Sequence, residues 1–214
     1  IILKFCNTMC VNFANLEGKN KKITYTGPIF SKEYENTSTD TTKLNLDANK
    51  PTMLVVGGSL GSKIINEQLM PILKDLLQQF NIIHICGKGN KQINSFENYN
   101  VFEVTDDMVN LYNLSTFVLG RSGAGVTAEC YFKRLPMLLV PLENKSSRGD
   151  QLQNANYYVK KGVAKIIREA DLTPTTLKTE ILNFYADIDK YQKAYSTQKS
   201  KNGREQIIEI IKKF

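Results

Sequence analysis

Four stretches hold the residues whose types and spacing could handle a phosphorylated ligand. The first, Gly57-Gly58-Ser59-Leu60-Gly61-Ser62, follows an apolar run and precedes a helical pattern. Glycines there permit a sharp turn and close backbone approach, while a helix amino terminus offers free N–H groups and partial positive charge to a phosphate. The spacing fits neither the dinucleotide pattern G-x-G-x-x-G nor a P-loop, which needs Gly-Lys-Ser/Thr. A plain tight strand-to-helix turn is the competing reading. The second, Arg121-Ser122-Gly123-Ala124-Gly125-Val126-Thr127-Ala128-Glu129, sets a cation beside another glycine-rich helix start. Glu129 falls about two turns into that helix, where a carboxylate can accept both hydroxyls of a ribose; otherwise it is a solvated helix residue. The third runs from Pro141 to Ala155. Gln151 there suits sugar hydroxyls, because an amide donates and accepts at once. Asp150 reads as a helix N-cap and Asn154 as a brace for the loop. In the fourth, Val104-Thr105-Asp106-Asp107-Met108, the Thr105 backbone could read a base edge, and the two aspartates suit helix capping better than a metal pair.

The elements that must position these stretches alternate along the chain. Strands are expected at Lys22 to Tyr25, Thr52 to Val56, Asn81 to Cys86, Val101 to Val104, Thr116 to Leu119, Pro136 to Val140 and Ala164 to Ile167. Between them Ile65, Leu69, Ile72, Leu73 and Leu76 form a helical stripe over Ser62 to Gln79, which Pro71 should kink or restart. Further helices are expected at Asp107 to Leu114, Gly123 to Phe132, Asp150 to Lys161, Pro174 to Tyr185 and Arg204 to Lys213. The strands are apolar throughout, which implies burial on both faces. That pattern defines an α/β chain with a Rossmann-like, doubly wound parallel sheet. Such sheets bind ligands outside the carboxyl ends of their strands, where all four stretches fall.

Composition narrows the class. The 214 residues are 42% hydrophobic and 23% charged, with no apolar run near the ~20 residues a membrane helix needs. The chain opens on Ile1 without signal-peptide flanks and is expected to begin inside a longer protein. Cys6, Cys10, Cys86 and Cys130 do not form a zinc pattern and are expected as buried, reduced thiols. His84, in mid-strand, lacks a nucleophile partner and is expected as a hydrogen-bonded core residue. The net charge of +7 could favour phosphate ligands or an anionic membrane surface, or reflect a lysine-rich codon bias alone. Nothing in the pattern suggests a nucleic-acid-reading face.

The order strand–Gly-Gly-Ser-x-Gly–helix, Arg-Ser-Gly-Ala-x-x-x-x-Glu, Leu-Pro-x-x-x-Val-Pro and Arg-Gly-Asp-Gln-x-x-Asn-Ala resembles the C-terminal half of bacterial family 28 glycosyltransferases. Those enzymes join N-acetylglucosamine to undecaprenyl-diphospho-muramoyl-pentapeptide. The resemblance, from about residue 10 onward, implies one lobe of a GT-B fold that binds UDP-N-acetylglucosamine. It implies that Gly58, Ser59 and Gly61 meet the diphosphate and that Thr105 holds uracil through its backbone. Arg121, Ser122, Gly123, Ala124, Gly125, Val126 and Thr127 would surround the phosphates, with Glu129 on the ribose and Gln151 on the sugar. Asp150 stands where some relatives carry a second Gln. After Thr26-Gly27-Pro28 the family usually has an Arg, and this chain offers Lys32, a point charge without the guanidinium fork.

The resemblance divides the chain into residues 1–30 (the last piece of an acceptor lobe), a linker over 31–50, the donor lobe over 51–198 and a C-terminal helix over 199–214. It implies inverting transfer to lipid I, giving lipid II for peptidoglycan. A general base in the acceptor lobe, absent from this sequence, would deprotonate the acceptor hydroxyl. No cofactor and no obligatory metal are implied. The expected location is cytoplasmic, peripheral on the inner face of the bacterial cell membrane. Two alternatives remain: a non-catalytic nucleotide-sugar-binding subunit that needs a partner acceptor lobe, and a UDP-sugar epimerase of the same fold.

Overall fold

The structure, a computed structural model, describes residues 2–18, 20–58, 60–91, 96–143, 149–198, 200 and 202–213. The chain forms two compact units, one of Ile1–Asn36 with Lys199–Phe214 and one of Thr37–Gln198.

In the first unit, β1 (Met9–Val11) and β2 (Ile23–Tyr25) pair in parallel, with Cys10 opposite Thr24. β1 was not legible in the sequence, because three residues carry no periodicity.

The second unit holds the Rossmann-like sheet. Its elements are β3 (Thr52–Val56), α1 (Lys63–Leu69), α2 (Leu73–Leu76), β4 (Asn81–Ile85), β5 (Tyr99–Phe102), α3 (Met108–Leu114), β6 (Phe117–Gly120) and α4 (Ala124–Phe132). They continue with β7 (Met137–Leu139), α5 (Asp150–Lys160), β8 (Ala164–Ile166), α6 (Pro174–Ala186) and α7 (Ile188–Ala194). Six strands pair in parallel in the order β5-β4-β3-β6-β7-β8. The four inner strands are wholly buried, as their mostly apolar runs suit, and the two edge strands are half-exposed. The winding reverses between β3 and β6, which opens a crevice beyond their carboxyl ends.

Local chemistry explains the helices. Pro71 lacks an N–H and clashes with the preceding turn, so α1 stops at Leu69 and a 3-10 turn leads into α2. α6 starts with Thr173 and Thr176 in a reciprocal capping box and Pro174 in its first turn. It buries Leu177, Ile181 and Phe184 on one face, and the Phe184 ring lies 5.7 Å from that of Phe117 under the sheet. α5 departs from expectation at its start. Gly149 (φ 76) is the N-cap, and Asp150 is the first helical residue, where its charge favours the helix dipole.

Residues 37–50 carry neither helix nor strand, yet asparagine side chains sew them to the second unit. Asn110 accepts from the Asp40 N–H and donates to its carbonyl, both at 2.8 Å. Asn100 does the same to Asn45 at 2.9 Å. Asn81 grips Asp47 likewise and also donates to the Lys50 carbonyl. In the first unit, completed by α8 (Arg204–Ile211), Asn202 pairs with Phe30 in the same two-pronged way.

All four cysteines are free. Cys86 and Cys130 are buried as expected, whereas Cys6 is half-buried and Cys10 exposed, since the short β1 leaves its outer face open.

Candidate functional site

Two glycine-rich turns flank the crevice. The turn after β3 is closed against the end of β4 by backbone on backbone. A Cβ on Gly61, whose φ is 76°, would collide with the Cys86 carbonyl oxygen, and one on Gly57 would collide with the Gly61–Ser62 backbone. Gly58 (φ 89°) differs, because nothing lies within 4 Å of its missing Cβ. Ser59 lies outside the described residues.

A buried polar chain supports that turn from below. Asn66 Nδ2 donates to the Cys86 carbonyl at 2.9 Å, the same oxygen that faces Gly61. Asn66 Oδ1 then accepts from His84 Nε2 at 3.0 Å, and His84 Nδ1 accepts from the Tyr99 hydroxyl at 2.9 Å. His84 is 2% exposed, and burial drives its pKa down to about 4, so it stays neutral. It is the hydrogen-bonded core histidine expected from its mid-strand position.

The turn after β6 is built differently. Its polar side chains point into the protein. Arg121 Nη1 donates to the carbonyls of Val140 (3.1 Å) and Pro141 (3.3 Å) and pairs with Glu169 at 2.5 Å. Ser122 Oγ donates to the Gln151 carbonyl at 2.8 Å, and Asn154 Nδ2 donates to the Ser122 carbonyl at 3.0 Å. Thr127 Oγ1 donates to the Gly123 carbonyl at 2.9 Å. Gln151 Oε1 accepts from the Leu142 N–H at 3.1 Å. Four residues expected to face a ligand, Arg121, Ser122, Thr127 and Gln151, thus hold neighbouring chain in this structure. Buried backbone carbonyls and N–H groups at the strand ends need partners, and these side chains supply them. The expected bracing role of Asn154 falls on the Ser122 carbonyl.

What this turn presents outward is bare helix end. Gly123 is the N-cap of α4 and has no side chain to offer, and Ala124 and Gly125 are exposed. The first N–H groups of a helix have no intrahelical partner, so α4 aims donors and partial positive charge into the crevice.

A cavity of about 270 Å³ lies beside these turns. Four expected residues line it: Gly58, Thr105, Val126 and Glu129. Val56, Ile85, Glu103, Val104, Met108 and Tyr112 complete it. Its size falls just below the ~300 Å³ where pockets for drug-sized ligands begin, so it suits one nucleoside-sized moiety. Met108 and Tyr112 were missed in the sequence, although their i, i+4 spacing on α3 places them on one face. Thr105 Oγ1 accepts from the Asp107 N–H at 3.0 Å, which fixes the turn into α3. Asp107 sits at the N-cap but makes no side-chain cap, and its carboxylate accepts from Asn110 instead. Among the described residues, no three His, Cys, Asp or Glu side chains converge to hold a metal ion.

The sheet order, the crevice at its reversal and the open helix end define one lobe of a GT-B glycosyltransferase. In fold the chain matches the crystal structure of Acinetobacter baumannii MurG, with a TM-score of 0.72 and 26% identity over 100% of this chain and 62% of that one. It also matches the glycotransferase of kitacinnamycin, with a TM-score of 0.70 and 18% identity over 90% of this chain and 50% of that one. The chain belongs to glycosyltransferase family 28, whose C-terminal domain it matches over residues 52–211. A relative from Clostridium botulinum (strain Langeland) is the UDP-N-acetylglucosamine--N-acetylmuramyl-(pentapeptide) pyrophosphoryl-undecaprenol N-acetylglucosamine transferase. It is 38% identical over 218 residues, which cover 98% of this chain and 61% of that protein. The chain thus spans about three-fifths of the length of such relatives.

Proposed function

We propose that this chain is the donor-binding portion of an inverting glycosyltransferase that moves N-acetylglucosamine from UDP-N-acetylglucosamine to lipid I, forming lipid II for peptidoglycan. The observation that carries the reading is the cavity at the reversal of the sheet, which joins Thr105 and Glu129 beside the uncapped start of α4. Uracil enters against the Thr105 backbone and Met108, and the ribose hydroxyls reach Glu129. The diphosphate meets Gly58, Ser59 and the N–H groups at Gly123 to Val126. Charge that builds on the departing UDP is then met by donors already in place. With its Oε1 held by Leu142, Gln151 turns its NH2 toward the sugar. Arg121, Ser122 and Thr127 shape the turn that carries these contacts.

The division of labour follows. Residues 51–198 bind donor, 1–30 belong to the acceptor lobe, 31–50 join the two and 199–214 carry the terminal helix α8. The base that deprotonates the acceptor comes from acceptor-lobe residues beyond this sequence, so the chain alone binds donor without turnover. The protein acts at the cytoplasmic face of the cell membrane, held peripherally, and the net charge of +7 supports attraction to anionic lipid. Among the described residues, no helix is long and apolar enough to cross a membrane.

Calorimetric titration with UDP tests the reading. Binding is expected, with Glu129→Ala weakening it by about 1.5–3 kcal/mol, the usual worth of hydrogen bonds to a charged group. A folded sample that binds no UDP, or a Glu129→Ala variant that binds unchanged, would sink it.

A further inference from the structure

We infer that Tyr112 is a positioning residue for donor recognition, acting through Glu129. The inference rests on the reading above that Glu129 accepts the ribose hydroxyls. Tyr112 is 1% exposed, lines the cavity from α3, and donates its hydroxyl to Glu129 Oε2 on α4 at 2.7 Å. An O–H···O⁻ bond of that length is charge-assisted and directional. It ties one carboxylate oxygen to a rigid, buried ring.

The other oxygen is left for the ligand. Oε1 lies 4.0 Å from where a Cβ on Gly125 would stand, so it is turned back over the first turn of α4. Gly125 has no side chain to cover it there and is exposed. Glutamate carries three side-chain torsions, and a free carboxylate at the mouth of a cavity would sample several orientations. Tyr112 removes that freedom before ligand arrives, so less entropy is lost when the hydroxyls dock. Because Oε2 has a second lone pair, both oxygens can still accept, one from each hydroxyl of a cis-diol.

This makes Tyr112 a determinant of ribose over 2′-deoxyribose through the carboxylate it orients. UDP and 2′-deoxy-UDP would be titrated into the chain, Tyr112→Phe, Glu129→Ala and the double variant. The ratio of the two affinities reports the diol contact and is unaffected by a general loss of stability, since both ligands meet the same sample. We expect the parent to prefer UDP by about tenfold, the worth of roughly one hydrogen bond to a charged group. Tyr112→Phe is expected to shrink the preference to about threefold and Glu129→Ala to abolish it, with the double variant matching Glu129→Ala. If Glu129→Ala abolishes the preference while Tyr112→Phe keeps it, the role of Tyr112 is overturned and the ribose reading stands. If Glu129→Ala leaves the preference intact, the ribose reading fails and takes this inference with it. Should Tyr112→Phe not fold, Tyr112→Met fills similar volume with a more adaptable chain and gives the same comparison.

Discussion

The two glycine-rich turns look alike in one dimension and differ in three. In the turn after β3, Gly57 and Gly61 are required because the neighbouring backbone fills the space a side chain would need. In the turn after β6, Gly123 has nothing within 4 Å of its missing Cβ, and Gly125 has only a carboxylate oxygen at that distance. The first turn uses glycine to bring chain against chain. The second uses it to leave a helix end bare. A glycine motif therefore does not by itself say whether a ligand approaches, and the surrounding atoms decide.

The largest effect is expected at Gly61. Gly61→Ala would hold alanine at a positive φ with its methyl against the Cys86 carbonyl, at a cost of about 3–4 kcal/mol. A denaturant midpoint near that of the parent would show that the turn gives way easily.

The next effect probes what lies beneath that turn. His84 has an ordinary value of 6.5 lowered to about 4 by burial. Between those values the unfolded chain binds a proton that the folded chain refuses. Stability is therefore complete above pH 6.5 and is lost as pH falls toward 4. The loss should reach about 2 kcal/mol between pH 7 and pH 5. His84→Gln should remove that slope in urea titrations at the two pH values, and an unchanged slope would place its origin elsewhere.

The smallest effect is expected at the bare start of α4. Gly125 lies inside α4 with room for a methyl group, so Gly125→Ala should raise stability by about 0.5–1 kcal/mol. It should weaken UDP binding, since the methyl group covers the helix end and Glu129 Oε1. A variant that is more stable and binds as well as the parent would mean that the bare end is not used.

Much of this was legible in the residues. The inner strands announce themselves because burial on both faces suits mostly apolar runs such as Thr52 to Val56. Pro71 marks its break because the ring cannot donate. Thr105 and Glu129 stand out in the sequence by their places at a strand end and in a helix's second turn, and both line the cavity. Side-chain direction was not legible. Arg121 and Gln151 look like ligand contacts in sequence, and in the structure both side chains also hold the segment just after β7, Arg121 through the Val140 and Pro141 carbonyls and Gln151 through the Leu142 N–H. Tyr112 was hidden for the complementary reason. It reads as an apolar helix residue, and only the packing of α3 beside α4 places its hydroxyl on Glu129. α7 was missed because its polar run buries Tyr191 alone.

The asparagines that grip residues 37–50 have a consequence for how this unit comes apart. A strand added to a sheet shares its bonds among neighbours, so its opening is cooperative. Here Asp40, Asn45 and Asp47 are each held by a separate amide, from Asn110, Asn100 and Asn81. Releasing one leaves the other two in place. Held by side-chain amides and not by a strand ladder, the segment is expected to open locally at less free energy than the sheet itself. Loss of Asn100 or Asn110 would slacken one exposed stitch, whereas loss of the buried Asn81 would also strip a partner from the Lys50 carbonyl at the start of the sheet.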